Sequence, residues 1–166
     1  DPAPLARIFG LTVKPGRTAV EKAYSMTDMF PWTASERTKI PEYDRVFNDF
    51  LAPILEREVQ KLIELPTFKN ASVTNQRGML KKRVSQIKSE VRKHIRNGHL
   101  GEEAAHLSYA SKLEGKPKEV KREAMKMAKE QFGIDGKIED LNMREIGIVL
   151  EYVDYLQEMY RAAAKL

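Results

Sequence analysis

The sequence predicts an all-α protein, a bundle of about five to six helices preceded by an extended N-terminal arm. Over most of the 166 residues, apolar side chains recur at steps of three and four, the spacing of one helical face. Glycine and proline stand mainly between these stretches. The only alternating apolar segment, near Leu11–Val13, is too short for a strand. The expected organisation is an arm at 1–17 and helical subdomains at 18–97 and 98–166.

The arm is predicted because three prolines and two glycines interrupt the first 17 residues and prevent a long helix. Its apolar side chains are too numerous for a free tail. We therefore expect them to dock on a neighbouring surface, in this chain or in another. These candidate protein contacts are Leu5, Ile8, Phe9, Leu11 and Val13.

Two helices are expected to follow the arm. Thr18 and Glu21 have the spacing of a capping box, which predicts a helix from 19 to about 29. The next apolar stripe predicts a helix from 41 to about 64. Pro53 falls inside that helix and is expected to kink it about one turn earlier, because proline lacks an N–H and its ring clashes with the preceding turn.

A strongly basic helix is predicted from Ser72 or Thr74 to about residue 96, with Asn97-Gly98 as its left-handed end. Residues 71–100 carry 8 basic and 1 acidic side chain, a balance of +7, whereas the whole chain is +5. We expect contact with phosphate, on nucleic acid or lipid, or else a solvated face neutralised by the slightly acidic last third. The candidate polyanion-binding residues are Arg77, Lys81, Lys82, Arg83, Lys88, Arg92, Lys93 and Arg96.

The last third of the chain is predicted to be helical throughout, at 102–113, 117–132 and 143 to about 164. Gly133 is placed to end the second of these helices, and Asn142 with Glu145 repeats the capping-box spacing. The final helix carries one apolar face, which predicts a core or oligomer seam. That face consists of Ile146, Val149, Leu150, Val153, Leu156, Met159 and Tyr160.

The residues that catalysis or metal binding would need are sparse. The chain has no cysteine, which excludes disulfides, thiolate metal sites and cysteine nucleophiles. Its three histidines, His94, His99 and His106, stand five and seven residues apart, whereas ligands one helical turn apart need three or four. No glycine-rich phosphate loop occurs. We therefore predict no enzymatic activity, no cofactor and no metal.

A membrane role is not favoured by the sequence, although contact with a membrane surface stays open. No run of 18 apolar residues and no signal-peptide pattern occurs. The apolar side of the basic helix is narrow and rich in β-branched residues, which is more typical of a packing seam than of a membrane-surface helix.

The order and spacing of elements over residues 4–96 resemble the helical C-terminal region of the large internal virion (DNA-ejection) proteins of tailed bacteriophages. The resemblance is carried by Pro4-Leu-Ala-Arg-Ile-Phe-Gly10-Leu-Thr-Val-Lys-Pro15, Glu21 and Tyr24, Pro41-Glu-Tyr-Asp44, Phe50-Leu-Ala-Pro53-Ile-Leu-Glu56, Pro66, Phe68 and the basic helix. It implies a piece of a larger polypeptide in the virion interior, or in the host cytoplasm during assembly. None of that family's transglycosylase residues can be placed here.

The function that the sequence favours is a non-enzymatic structural or assembly domain of a phage virion protein. Its expected partners are other virion or oligomer subunits, and packaged DNA stays open as a further one. The alternative is a free-standing helical module that binds nucleic acid without sequence preference through the basic helix.

Overall fold

The computed structural model describes residues 18–27 and 35–166, and within those ranges it contains seven α-helices and no strand. The predicted all-α fold is confirmed. The predicted arm, with Leu5, Ile8, Phe9, Leu11 and Val13, lies outside the described residues. The helices are α1 (Ala19–Thr27), α2 (Pro41–Glu64), α3 (Pro66–Lys69), α4 (Val73–Arg96), α5 (Glu102–Glu114), α6 (Lys118–Phe132) and α7 (Met143–Ala164), with a 3₁₀ turn at Ile138–Asp140.

The chain divides into two compact units. Among the described residues, the first comprises 18–27, 35–37 and 44–94, and the second comprises 38–43 and 95–166. The division within α4 lies three residues before the subdomain boundary expected from the sequence. Residues 38–43, expected in the first subdomain, belong to the second unit.

Local capping signals place the helix starts where the sequence predicts them. The Thr18 N–H donates to Glu21 Oε2 (3.3 Å), and the Glu21 N–H donates to Thr18 Oγ1 (3.2 Å). At α7 the Asn142 N–H donates to Glu145 Oε1 (2.9 Å), and the Glu145 N–H donates to Asn142 Oδ1 (2.8 Å). Both capping boxes are confirmed. Each satisfies two backbone donors that the first turn of a helix leaves without partners.

Proline and glycine positions agree with the expectation at Pro53 and Gly133 and differ at Pro66 and Pro117. The predicted connector after α2 contains the one-turn helix α3, which begins at Pro66 and buries Phe68 completely. The helix α2 continues through Pro53 without a break, and Pro53 is exposed. Pro117 stands just before α6 rather than as its first residue, and Gly133 ends α6 with a left-handed φ of 69°.

Each unit has its own buried apolar residues. In the first unit α2 and α4 supply most of the large ones: Phe47, Leu51, Leu55, Val59, Leu80, Val84, Ile87 and Val91. In the second unit α5, α6 and α7 form one cluster, whose larger members are Leu113, Val120, Ile134, Leu141, Ile146, Val149, Leu150, Val153 and Leu156. The alternation of large side chains with Ala110, Ala124 and Ala128 brings these helices close together.

Replacing Ile146 with Ala should destabilise the second unit by about 2–5 kcal/mol, because the change leaves a cavity in a fully buried site. The matched control on the same helix is Met143→Ala, at a side chain 41% exposed, with an expected change within about 0.5 kcal/mol. Urea unfolding followed by circular dichroism measures both. Equal losses in the two variants would contradict the packing described here.

Candidate interaction surfaces

The eight cations of α4 fall into two groups. Three lysines, Lys81, Lys82 and Lys93, are exposed. The other five are only half-buried and lie toward the flanks of the helix: Arg77, Arg83, Lys88, Arg92 and Arg96. The helix therefore does not present its full charge as one surface.

Arg83 pairs with a glutamate of α2. Its terminal guanidinium nitrogen lies 2.5 Å from Glu58 Oε1, and the Lys61 ammonium lies 3.1 Å from Glu58 Oε2. The hydrogen bonds from Lys61 and then from Arg83 lower the pKa of Glu58 below its ordinary value of 4.5. Glu58 is therefore held as a carboxylate that joins α2 to α4.

Arg92 is held by two groups of the first unit. Its Nε donates to Glu36 Oε2 at 2.9 Å, and a terminal guanidinium nitrogen donates to the same oxygen. The guanidinium carbon lies 5.6 Å from the centre of the Phe47 ring, within the range of a cation–π contact. Arg92 thus packs on a core side chain and forms an ion pair at the same time.

Lys88 and Arg77 reach backbone carbonyls. The Lys88 ammonium donates to the Ser35 carbonyl oxygen at 3.4 Å, and Arg77 Nε donates to the carbonyl of Thr27 at the end of α1. Burial lowers the pKa of Lys88; the Glu36 carboxylate opposes this shift and Arg92 adds to it. Both side chains tie α4 to segments from the start of the chain.

Arg83 and Arg92 pair with acidic residues from earlier in the chain, whereas the sequence suggested partners in the last third. Glu58 and Glu36 stand 25 and 56 residues before their arginines. Residues this far apart in the sequence are not linked by any local pattern. Composition could therefore predict only the charge balance of the region. Arg96, assigned to the second unit, has a buried Nε without a hydrogen-bond partner among the described residues.

The exposed lysines form a sparse cationic face. Lys82 and Lys93 stand eleven residues apart, about 16 Å along a helix axis. The exposed residues between them include the uncharged Ser85 and Ser89. Any phosphate contact at this face would involve about three cations rather than eight.

The second unit contains an open cavity of about 420 Å³ near the start of α2 and α5. His106 lines it, and its Nε2 lies 2.8 Å from the carbonyl oxygen of Leu141. The charged residues at the cavity are exposed apart from His106: Lys39, Glu42 and Glu139. Among the described residues, no group of three or more His, Asp or Glu side chains is arranged to hold a metal ion.

The helix α7 uses most of its predicted seam for its own core. Ile146, Val149, Leu150, Val153 and Leu156 are buried in the second unit. Of the predicted seam, only the last two residues are exposed: Met159 and Tyr160. The seam is therefore chiefly a core face.

A second apolar row lies on another side of α7. Ile148, Tyr152, Tyr155 and Met159 follow one another at steps of four, three and four, and the Phe132 ring of α6 lies 6.5 Å from the Tyr152 ring. We call these five residues the C-terminal stripe. The sequence prediction placed the apolar residues of this helix on one face and so left this row out, although its steps of three and four are visible in the sequence.

Acidic side chains accompany the C-terminal stripe. Glu151, Asp154 and Glu158 are all exposed on α7. Glu158 also pairs with Arg161 one turn later, at 3.0 Å. An exposed helix side that combines aromatic and acidic residues is suited to contact with an apolar, cationic segment.

Comparison with models of protein families, with curated proteins and with solved structures finds no match for this chain. Within residues 18–27 and 35–166, no helix has the length and apolar character needed to cross a membrane.

Replacing Glu58 with Gln should make the protein less sensitive to acid. Because the pKa of Glu58 is lowered on folding, its contribution is present above pH 4.5 and is lost as the pH falls through the folded-state pKa. The free energy of unfolding of Glu58→Gln should be lower at pH 7 and should fall less steeply below pH 4.5. Urea titrations between pH 3 and pH 7 measure this slope.

The companion variant Arg83→Met removes one of the two cations that lower the pKa of Glu58, so it should flatten part of the same slope. If the free energy of unfolding changes with pH in the same way in the wild type and both variants, the ion pair contributes nothing to the pH dependence of stability.

Proposed function

We propose that this chain is a non-enzymatic structural and assembly domain that contacts partner proteins through the C-terminal stripe. The observation that carries the proposal is the exposure of three large side chains of the stripe: Phe132 is 54% exposed, Tyr155 is 55% and Met159 is 48%. Contiguous exposed apolar side chains on a folded domain typically mark an interaction site.

Two members of the stripe, Ile148 and Tyr152, pack against the core of the second unit, whereas Phe132, Tyr155 and Met159 are exposed. The core face of α7 is already filled by five buried residues from Ile146 to Leu156. The exposed side chains are not needed to close that core, and tyrosine with phenylalanine is typical of interface centres. These features support a role in association rather than in folding alone.

The contacts of α4 support the same proposal. Arg83 and Arg92 hold glutamates within the first unit, and Arg77 and Lys88 hold backbone carbonyls. Half of the cations that first indicated a polyanion site thus have a structural role. The helix acts mainly as a support of its own unit.

The setting that we propose is the interior of a phage virion, with other virion subunits as partners. The support for this setting is the resemblance of residues 4–96 to the helical region of internal virion proteins. An assembly domain in such a particle needs contact surfaces rather than a catalytic pocket.

The double variant Tyr155→Ser/Met159→Ser should weaken self-association or partner binding by about tenfold or more, since truncating a central aromatic anchor costs at least about 1.4 kcal/mol. Sedimentation velocity of the full chain over a range of concentrations measures the effect. The matched control is Leu65→Ser, which removes a side chain of similar exposure (48%) from the first unit. If the control weakens association as much, the stripe is not the contact surface.

A second candidate function is supported by Lys81, Lys82 and Lys93. These exposed lysines could contact phosphates of nucleic acid without sequence preference. Because Arg92 is paired with Glu36, a test of this function should leave Arg92 unchanged and alter only the exposed lysines.

Charge reversal of those three lysines to Glu should abolish binding to a labelled 30-base-pair duplex, measured by fluorescence anisotropy. Three phosphate contacts predict a slope of log K against log salt of about −2.7, compared with about −7 for eight contacts. The matched control reverses three exposed lysines of the second unit, Lys118, Lys126 and Lys137, and makes the same change in net charge. Equal losses in both variants would indicate only a general charge effect.

A further inference from the structure

We propose that the C-terminal stripe of one copy receives residues 4–17 of a second copy of this chain. The inference rests on the proposed assembly function and names the partner of the same surface. It is argued from the pattern of charge around the stripe, from the composition of residues 4–17, and from the lengths of the two segments.

The charge pattern of α7 argues against pairing of the stripe with itself. In an antiparallel two-fold pair, Tyr152 of one helix would face Tyr155 of the other. The same register places Glu151 opposite Glu158 of the second copy, and symmetry repeats this acidic pair. Like charges at such flanking positions are destabilising. The stripe therefore favours a partner that is apolar and cationic.

Residues 4–17 have that composition. They contain the apolar residues Leu5, Ile8, Phe9, Leu11 and Val13, three cations and no acidic residue. The cations are Arg7, Lys14 and Arg17. Of the acidic side chains of α7, Glu151 and Glu158 stand one helical turn from stripe residues, and Glu158 also pairs with Arg161. Charge complementarity of this kind favours one register and selects against self-pairing of either surface.

The length of the stripe sets how much of the segment it can receive. The stripe extends over twelve residues of α7 from Ile148 to Met159, about 16 Å along the helix axis. An extended chain covers that distance with about five residues, at roughly 3.3 Å each. The stripe is therefore long enough for about five residues of the fourteen-residue segment.

Each copy carries one segment and one stripe, so the contact is heterologous. Reciprocal exchange closes a dimer, and one-way exchange builds an open chain. In both cases a copy that has lost its segment keeps a working stripe, and a copy that has lost its stripe keeps a working segment. This property provides the test.

The experiment compares two full-length variants, Ile8→Ser/Phe9→Ser and Tyr155→Ser/Met159→Ser, by sedimentation velocity, alone and as an equimolar mixture. We expect each variant alone to associate at least about tenfold more weakly than the wild type. We expect the mixture to recover association, because the intact segment of one variant meets the intact stripe of the other. Far-UV circular dichroism and thermal unfolding check that both variants fold, and Leu65→Ser again serves as the control.

The outcomes separate this inference from the proposed function. Loss of association in the stripe variant only, with normal association of the segment variant, would keep the assembly function and overturn the segment as its partner. Loss in both variants without recovery on mixing would also overturn the exchange. A wild-type chain that stays monomeric over the whole concentration range would overturn the self-assembly on which the inference rests.

Discussion

The packing of the first unit depends on two glutamates that neutralise arginines of the cationic helix α4 on the side that faces the core. A helix with a balance of +7 could not pack closely on apolar neighbours if every cation needed water. Glu58 and Glu36 meet Arg83 and Arg92 at the flanks of α4, which lets the face between them stay apolar. Leu80, Ile87 and Val91 can then be buried. The position of α4 thus follows from two ion pairs as well as from its seam.

In the second unit, the helix α7 carries two apolar faces with different surroundings. The core face of α7 is closed by α5 and α6; Ile148 and Tyr152 of the C-terminal stripe pack against this core, and Tyr155 and Met159 are exposed. Two apolar faces on a helix of 22 residues leave few positions for charge. The acidic residues that remain are therefore close to the stripe, and they restrict the kind of surface that can approach it.

Features determined by neighbouring residues could be predicted from the sequence. The capping boxes at Thr18 and Asn142 and the stop at Gly133 depend on contacts within one or two turns, and the structure has all three. The contact of Glu36 with Arg92 could not be predicted, because it joins residues 56 positions apart. The stripe could be predicted only in part. Its spacing is a local feature of the sequence, but which of the two apolar faces of α7 is buried depends on α5 and α6.

The pairing of α4 also bears on how this sequence can vary. Lys81, Lys82 and Lys93 can change to neutral residues without loss of a contact that the fold needs. Arg92 cannot become Lys at no cost, since an ammonium does not reproduce two donors to one carboxylate oxygen together with stacking on Phe47. A diverged relative would thus be identified less by its net charge than by paired changes at 36 with 92 and at 58 with 83.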